Sequence, residues 1–403
     1  MFKKIIRSFD YSIIVVYILL CLFGLVMIYS ASMVTAVERY GYSSTHFYYR
    51  QLIFIGISFI FFLGAAFFPY KAYKGNKVLG FIMVASLFGL FALFIFGHIS
   101  GGANSWLHIG PLSIEPGEFV KLSVIIYMAA VYSKKIGYID NINSGVAPPL
   151  IYLIAVFFLI LIQPDMGTAL IVLAIGSVII LCSGMKLKTI LKLASLVLIL
   201  VLLFVPVLLI AKHNVLSGYQ MARFTGFLHP FSTEGKEGYQ LVNSFLAIGS
   251  GGIKGQGLGQ SIQKLGYLPE PQTDFILAVI AEELGVFGVG FVIFGIAYLV
   301  LRGIYIGIKC RDPFGTLLAI GVSSWLAIQT FINIGGLTGM MPITGVPLPF
   351  ISYGGSSLMV LSIALGILVN ISMFTKYEER YKNKQDLPDS VTERRNYKNF
   401  NLH

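Results

Sequence analysis

The sequence predicts an all-α integral membrane protein: a polytopic bundle of about ten transmembrane helices with a large extracytoplasmic loop between the seventh and the eighth. Three observations predict it. Of 403 residues, 56% are apolar and only 12% charged, which is not the make-up of an ordinary soluble domain. The charges fall between apolar runs, each close to the roughly 20 residues that cross about 30 Å of hydrocarbon. No stretch shows the alternation of a membrane β-barrel, where every second residue faces lipid.

The spans lie at about 11–33, 47–68, 77–98, 117–133, 146–162, 166–183, 188–211, 274–301, 314–338 and 351–374. The first follows Met1 with no small-residue cleavage site and is too long for a signal-peptide core, so it reads as a retained helix. Orientation follows from lysine and arginine, which stay on the cytoplasmic side of short loops. Lys3, Lys4 and Arg7, then Lys71, Lys74 and Lys77, Lys134 and Lys135, Lys186 and Lys188, and Arg302, Lys309 and Arg311 mark alternate connections as cytoplasmic. The basic tail from Lys376 joins them, which puts both termini inside. The chain divides into a membrane domain over 1–376, with its loop at about 212–273, and a polar tail over 377–403 that reads as disordered. The net charge of +11 then reflects topology and anionic lipid rather than nucleic acid, for which there is no soluble domain.

Cys21, Cys182 and Cys310 are odd in number and lie in or near spans, so no disulfide framework is expected. The six histidines show no ligand spacing on one helical face, so no structural metal is expected.

Four outer connections carry the informative residues. The long loop holds Tyr219, Arg223, Phe224, Phe227, Phe231 and Tyr239, which can anchor amphipathic segments at a bilayer surface, and the run GSGGIKGQGLGQS from Gly249. Such a run most often means turns, although with Lys254 and Lys264 it could cradle a phosphate. A Pro-rich turn then delivers Asp274 to the mouth of a helix, where it can cap free N–H groups or act in catalysis. Glu282 and Glu283 follow about 12 Å deeper at 1.5 Å per residue, and a wet cavity there is plausible. About 100° apart, they cannot both face one partner, so at least one is a structural hydrogen-bonding group. Glu118 and Lys121 are spaced to pair on one helical face, and Asp165 to cap a helix. In MMPITGVPLPFISYGGSS, from Met340, irregular backbone must lie beside protein or water; Ser352, Tyr353, Ser356 and Ser357 can line a site or cap a helix.

Through GANSWLHIGPLSIEPGEFVKL, QPDMGTA, GYQLVNSFLAIGSGGIKGQGLGQS, LPEPQTDFILAVIAEELG and PLPFISYGGSS, in that order, the chain resembles the SEDS proteins of bacterial elongation, division and sporulation, the group of RodA, FtsW and SpoVE. The resemblance covers nearly the whole membrane part and leans toward the division branch. It implies a peptidoglycan glycosyltransferase polymerising lipid II at the outer membrane face, with Asp274 at the position of the family's essential acidic residue and acting as general base. Lys121 and Arg223 would meet the departing pyrophosphate, and Glu118, Glu270, Ser352, Tyr353 and Ser356 complete the substrate-binding set. A divalent cation, Mg or Mn, is left open as a helper. The partners it implies are lipid II, a class B penicillin-binding transpeptidase and other divisome membrane proteins. Gly266 stands where some relatives carry an acidic residue and Thr344 where some carry lysine, so if that lysine balances pyrophosphate in the relatives, another cation or a metal must do so here. The rival readings are a lipid II flippase and a non-catalytic scaffold of the division machinery.

Overall fold

The computed structural model describes residues 8–100, 103–109, 112–141, 145–193, 195, 218–233 and 235–382. Helices α1 (Tyr11–Glu38), α2 (His46–Phe67), α3 (Asn76–Phe96), α4 (Pro116–Lys134), α5 (Ala147–Ile162) and α6 (Met166–Cys182) match the first six expected spans. Residues 187–193 are helical, and the rest of the seventh expected span lies outside the described residues. The long loop contains α7 (Gly218–Leu228) and α8 (Tyr239–Gly251). It is followed by α9 (Ile276–Lys309), α10 (Pro313–Leu337) and α11 (Gly355–Tyr377). The tail expected to be disordered lies outside the description from residue 383 onward.

Among the described residues, six helices are long and apolar enough to cross a membrane: α1, α2, α3, α9, α10 and α11 with its short extension. Helix α4 differs because it carries Glu118 and Lys121 inside its length, each only 1% exposed and bonded to the other. The centre of the bundle is α11, which packs most extensively on α2, and α10, which contacts α4, α6 and α9. Their apolar windows are 78% and 61% buried, against 22% for α3, whose aromatic face looks outward. Helix starts follow local chemistry: Pro116 and Pro313 occupy first turns, and Asp165 and Asp312 accept from the amides of Thr168 and Phe314. Proline lacks the amide a first turn cannot use, and a carboxylate fills the one it can.

The connection after α3 is not a plain loop. Strands β1 (His98–Ser100), β2 (Ala103–Ile109) and β3 (Leu112–Ile114) form an antiparallel sheet in that order. Leu107 pairs with Ile114 and His108 with Ser113, and an irregularity lies between His98 and Ile99. This small sheet departs from an all-α plan, and its end of the bundle carries the site described below.

The opposite end is tied by charge. Asp10, 3% exposed, accepts from Arg302 at 2.8 Å and Lys376 at 3.1 Å, while Lys71 meets Glu378 at 3.2 Å. Asn370 accepts from the Tyr70 amide at 2.9 Å and donates to the Ala66 carbonyl at 2.7 Å. Lys71, Lys134, Arg302, Lys309 and Lys376 therefore gather at one end, as the alternating charge pattern requires. Cys21, Cys182 and Cys310 are all free thiols.

Candidate active site

Helix α9 spans 34 residues, about 51 Å at 1.5 Å per residue, more than a bilayer needs. It is broken at Gly285, whose φ of 60° and ψ of −152° are not helical. The break strands the carbonyls of Glu282 and Glu283 and the amide of Val286. The glycine run fills all three positions: Gln256 donates to Glu282 O at 2.8 Å, Gly257 to Glu283 O at 2.9 Å, and Val286 N donates back to Ile253 O at 3.2 Å. A Cβ at Gly255 would sit 2.2 Å from the Glu283 carbonyl oxygen, so backbone meets backbone there. Amides used in this joint are not offered to a phosphate.

Both deep glutamates are equally committed. Glu283 accepts from Ser30 Oγ and from Lys264 Nζ, each at 2.7 Å, with Lys264 only 2% exposed. Glu282 accepts from Ser261 Oγ and, at 2.9 Å, from the Ile262 amide. Both are structural, where at least one was expected to be, and Lys264 is bound inside the fold rather than presented to a ligand.

Asp274 lies on the short side of this joint, one residue before the N-cap position, Phe275, where no side chain caps the helix. The capping role open to Asp274 is thus not used. Its backbone is fixed from three directions. Asn333 Nδ2 donates to Asp274 O at 2.9 Å and to Val346 O at 2.8 Å. Ser352 Oγ donates to Thr273 O at 2.6 Å, and the Tyr353 amide to Gln272 O at 2.9 Å. Ser352 and Tyr353 therefore hold the Asp274 turn, while Ser356 accepts from the Glu115 amide at 3.2 Å and joins the sheet to α11.

The Asp274 carboxyl shares a narrow cleft with Asn333, Thr344 and Gly345. A Cβ on Gly345 would lie 3.3 Å from Arg223 Nη2 and 3.5 Å from Asp274 Oδ2, so guanidinium and carboxylate flank one methyl-sized space. With φ at +77°, Gly345 also holds backbone that side chains disfavour. Gly345→Val is expected to cut activity at least about tenfold and cost roughly 1–2 kcal/mol of stability. Measured turnover and melting temperature check it, and a variant as active as the parent would show that this space is not used.

Burial first, and then the half-buried Glu270, raise the Asp274 carboxyl to about 7 against the opposing Arg223 guanidinium. Glu115, N-terminal to α4, is also held well above the usual carboxylate range, by burial first and then by Glu118, Asp165 and Asp274, with Lys121 opposing. Glu115 thus belongs to the same electrostatic neighbourhood. Removing the Glu270 charge with Glu270→Gln is expected to move any pH limb set by Asp274 downward. A limb unmoved by Glu270→Gln would show that another group sets it.

Lys121 is deeper. It donates to Glu118 Oε1 at 2.8 Å and to Gln329 Oε1 at 3.3 Å, and lies 5.4 Å from the Trp325 ring. Gln329 passes this network on by donating to Pro347 O at 2.9 Å. The expected pairing of Glu118 with Lys121 is present, and it supports the 344–347 segment rather than opening onto it. Asp165 caps α6 through the Thr168 amide at 3.0 Å, as expected. Glu115, Gln329 and Asn333 were not singled out from sequence. Two amide side chains four apart in an apolar span were a usable signal, because such groups turn inward. Among the described residues no three His, Cys, Asp or Glu side chains gather to hold a metal ion.

Comparison with known proteins agrees with this architecture. The family FTSW_RODA_SPOVE, described as Cell cycle protein, matches residues 10–377. The chain is 54% identical over 387 residues to the probable peptidoglycan glycosyltransferase FtsW of Bacillus subtilis, covering 96% of each chain. It is 38% identical to Stage V sporulation protein E of the same organism, over 91% of this chain and 98% of that one. Among solved structures, a chain from a peptidoglycan synthase complex matches with TM-score 0.72 at 24% identity, over 91% of this chain and 98% of that one. RodA, the rod shape determining protein of Thermus thermophilus, matches with TM-score 0.62 at 24% identity, over 92% and 98%. The fold, the order of its motifs and this identity make the chain a member of the FtsW, RodA and SpoVE family.

Proposed function

We propose that the chain is a peptidoglycan glycosyltransferase of the division machinery that polymerises lipid II at the outer face of the plasma membrane. The observation that carries this reading is the Asp274 carboxyl. It stands at the mouth of a broken helix, is raised to about 7 and shares the narrow space beside Gly345 with the Arg223 guanidinium. The identity to the Bacillus subtilis FtsW supports the activity, and the basic residues at the opposite end of the bundle support a cytoplasmic location for both termini. The septum is the expected site of action.

In this reading the C4 hydroxyl of one lipid II attacks C1 of another. As the new C–O bond forms, Asp274 takes the hydroxyl proton. The bond from C1 to the pyrophosphate oxygen breaks with inversion, and undecaprenyl pyrophosphate leaves with the electron pair. A base titrating near the working pH suits this transfer, and the Arg223 guanidinium stabilises charge growing on the leaving group. Ser352, Tyr353, Asn333 and the Glu118–Lys121–Gln329 network position the two segments that meet at the cleft. A class B transpeptidase is the expected partner, a pairing in keeping with the fold shared with a chain of a solved synthase complex.

The test is glycan polymerisation from purified lipid II by the chain bound to its transpeptidase, beside the Asp274→Asn complex. Long strands from the parent and none from the folded variant support the enzyme. Equal activity removes Asp274 as the base, and lipid II translocation without polymerisation favours the flippase.

A further inference from the structure

A second cavity, of about 290 Å³, adjoins the Asp274 cleft. Ile343 lines both spaces, and Arg223, which faces Asp274 across Gly345, also lines the larger one. Around it stand Lys236 and Glu237, with Phe227 and Tyr239 adding ring surface. Its construction follows from one close approach. A Cβ at Gly226 would lie 2.3 Å from the Glu237 carbonyl oxygen, so α7 can touch the 235–238 turn only where it has no side chain. Arg223 lies three residues before Gly226, on the same helical face, and Lys236 immediately precedes the peptide that abuts it. The backbone contact therefore brings two cations, 13 positions apart in sequence, to one cavity beside the cleft.

Resting on the glycosyltransferase reading, we propose that this cavity is the subsite for the diphosphate and first sugar of the lipid-linked substrate, with Lys236 a phosphate-binding residue alongside Arg223. Two cations lining one cavity match a diphosphate, which carries charge that a single guanidinium balances only in part. Glu237 accepts from sugar hydroxyl or amide donors, and the rings of Phe227 and Tyr239 offer apolar faces to a pyranose. The volume lies just under the roughly 300–1,000 Å³ of small-molecule sites, room for a diphosphate sugar but not for the polyprenyl chain, which stays in lipid.

The same phosphate chemistry is present in an anionic phospholipid headgroup, so the test separates the two sources. The full chain with its transpeptidase is placed in nanodiscs of phosphatidylcholine alone, or with phosphatidylglycerol added. The KM for lipid II and the inhibition constant of undecaprenyl pyrophosphate are measured for the parent, Lys236→Gln and Lys236→Arg. Lys236 is exposed, so neither substitution disturbs packing. Losing one charge-assisted bond to phosphate is expected to raise both constants about tenfold in Lys236→Gln, with kcat within about twofold and Lys236→Arg close to the parent. Constants unchanged in Lys236→Gln, while Asp274→Asn is inactive, overturn the subsite and leave the glycosyltransferase reading standing. An effect confined to discs with phosphatidylglycerol assigns the cavity to lipid headgroups and overturns the substrate assignment. Polymerisation by Asp274→Asn equal to the parent overturns the reading on which the subsite rests.

Discussion

Asp274→Asn is expected to lower the rate of glycan polymerisation by about 10²–10⁴, the usual contribution of a positioned general base. Asparagine keeps the shape and the backbone bonds from Asn333 and Ser352, so the variant should fold, melt no lower than the parent and still bind lipid II. The pH profile adds a second readout. The Asp274 carboxyl sits near 7 instead of its ordinary 3.8, so its basic form fills, and activity rises, as pH rises through about 7. The sign for stability is opposite. Between about 4 and 7 the folded chain holds a proton that the unfolded chain has lost, so this group's contribution to stability is full below the unfolded value and disappears as pH rises through 7. A parent profile flat from pH 5 to 8 would remove Asp274 as the titrating base.

The second large effect is expected far from any substrate. Lys264→Met leaves Glu283 buried with Ser30 as its remaining side-chain partner, and stranding one charge of a buried pair costs about 3–5 kcal/mol. The expected results are a lower melting temperature in detergent and faster protease cleavage within 249–261, since the pair pins that run against the broken helix. Replacing both residues, as Lys264→Met with Glu283→Leu, removes the stranded charge and should recover much of the loss. If Lys264→Met melts with the parent, the pair is not what holds the joint.

Much of the fold was legible because a membrane constrains sequence so strongly: backbone polar groups must be satisfied inside each helix, so long apolar runs declare themselves. Six expected spans from 11 to 183 and three from 274 to 374 have matching helices. Asp165 as a cap and Glu118 with Lys121 as a pair were legible too, because both depend on spacings of three residues. The small sheet was not, since its strands of three to seven residues give too few alternations to read.

By itself the sequence determined the class of solvent, the positions of most spans, the alternation of basic connections and the motif that sets Asp274 at a helix mouth. These are local properties, fixed by composition and by spacings within one or two turns. Only the tertiary structure decided which groups of the loop before α9 are occupied and which line a site. The glycine run closes the break at Gly285 because stranded carbonyls from another segment meet its amides, and Lys264 is spent on Glu283 for the same reason. Arg223, Asp274 and Gly345 meet only because α7, the start of α9 and the 342–349 segment fold onto one another, and Glu115, Gln329 and Asn333 take their roles from that meeting. Pairings between segments distant in sequence depend on packing, and no periodicity along the chain records them.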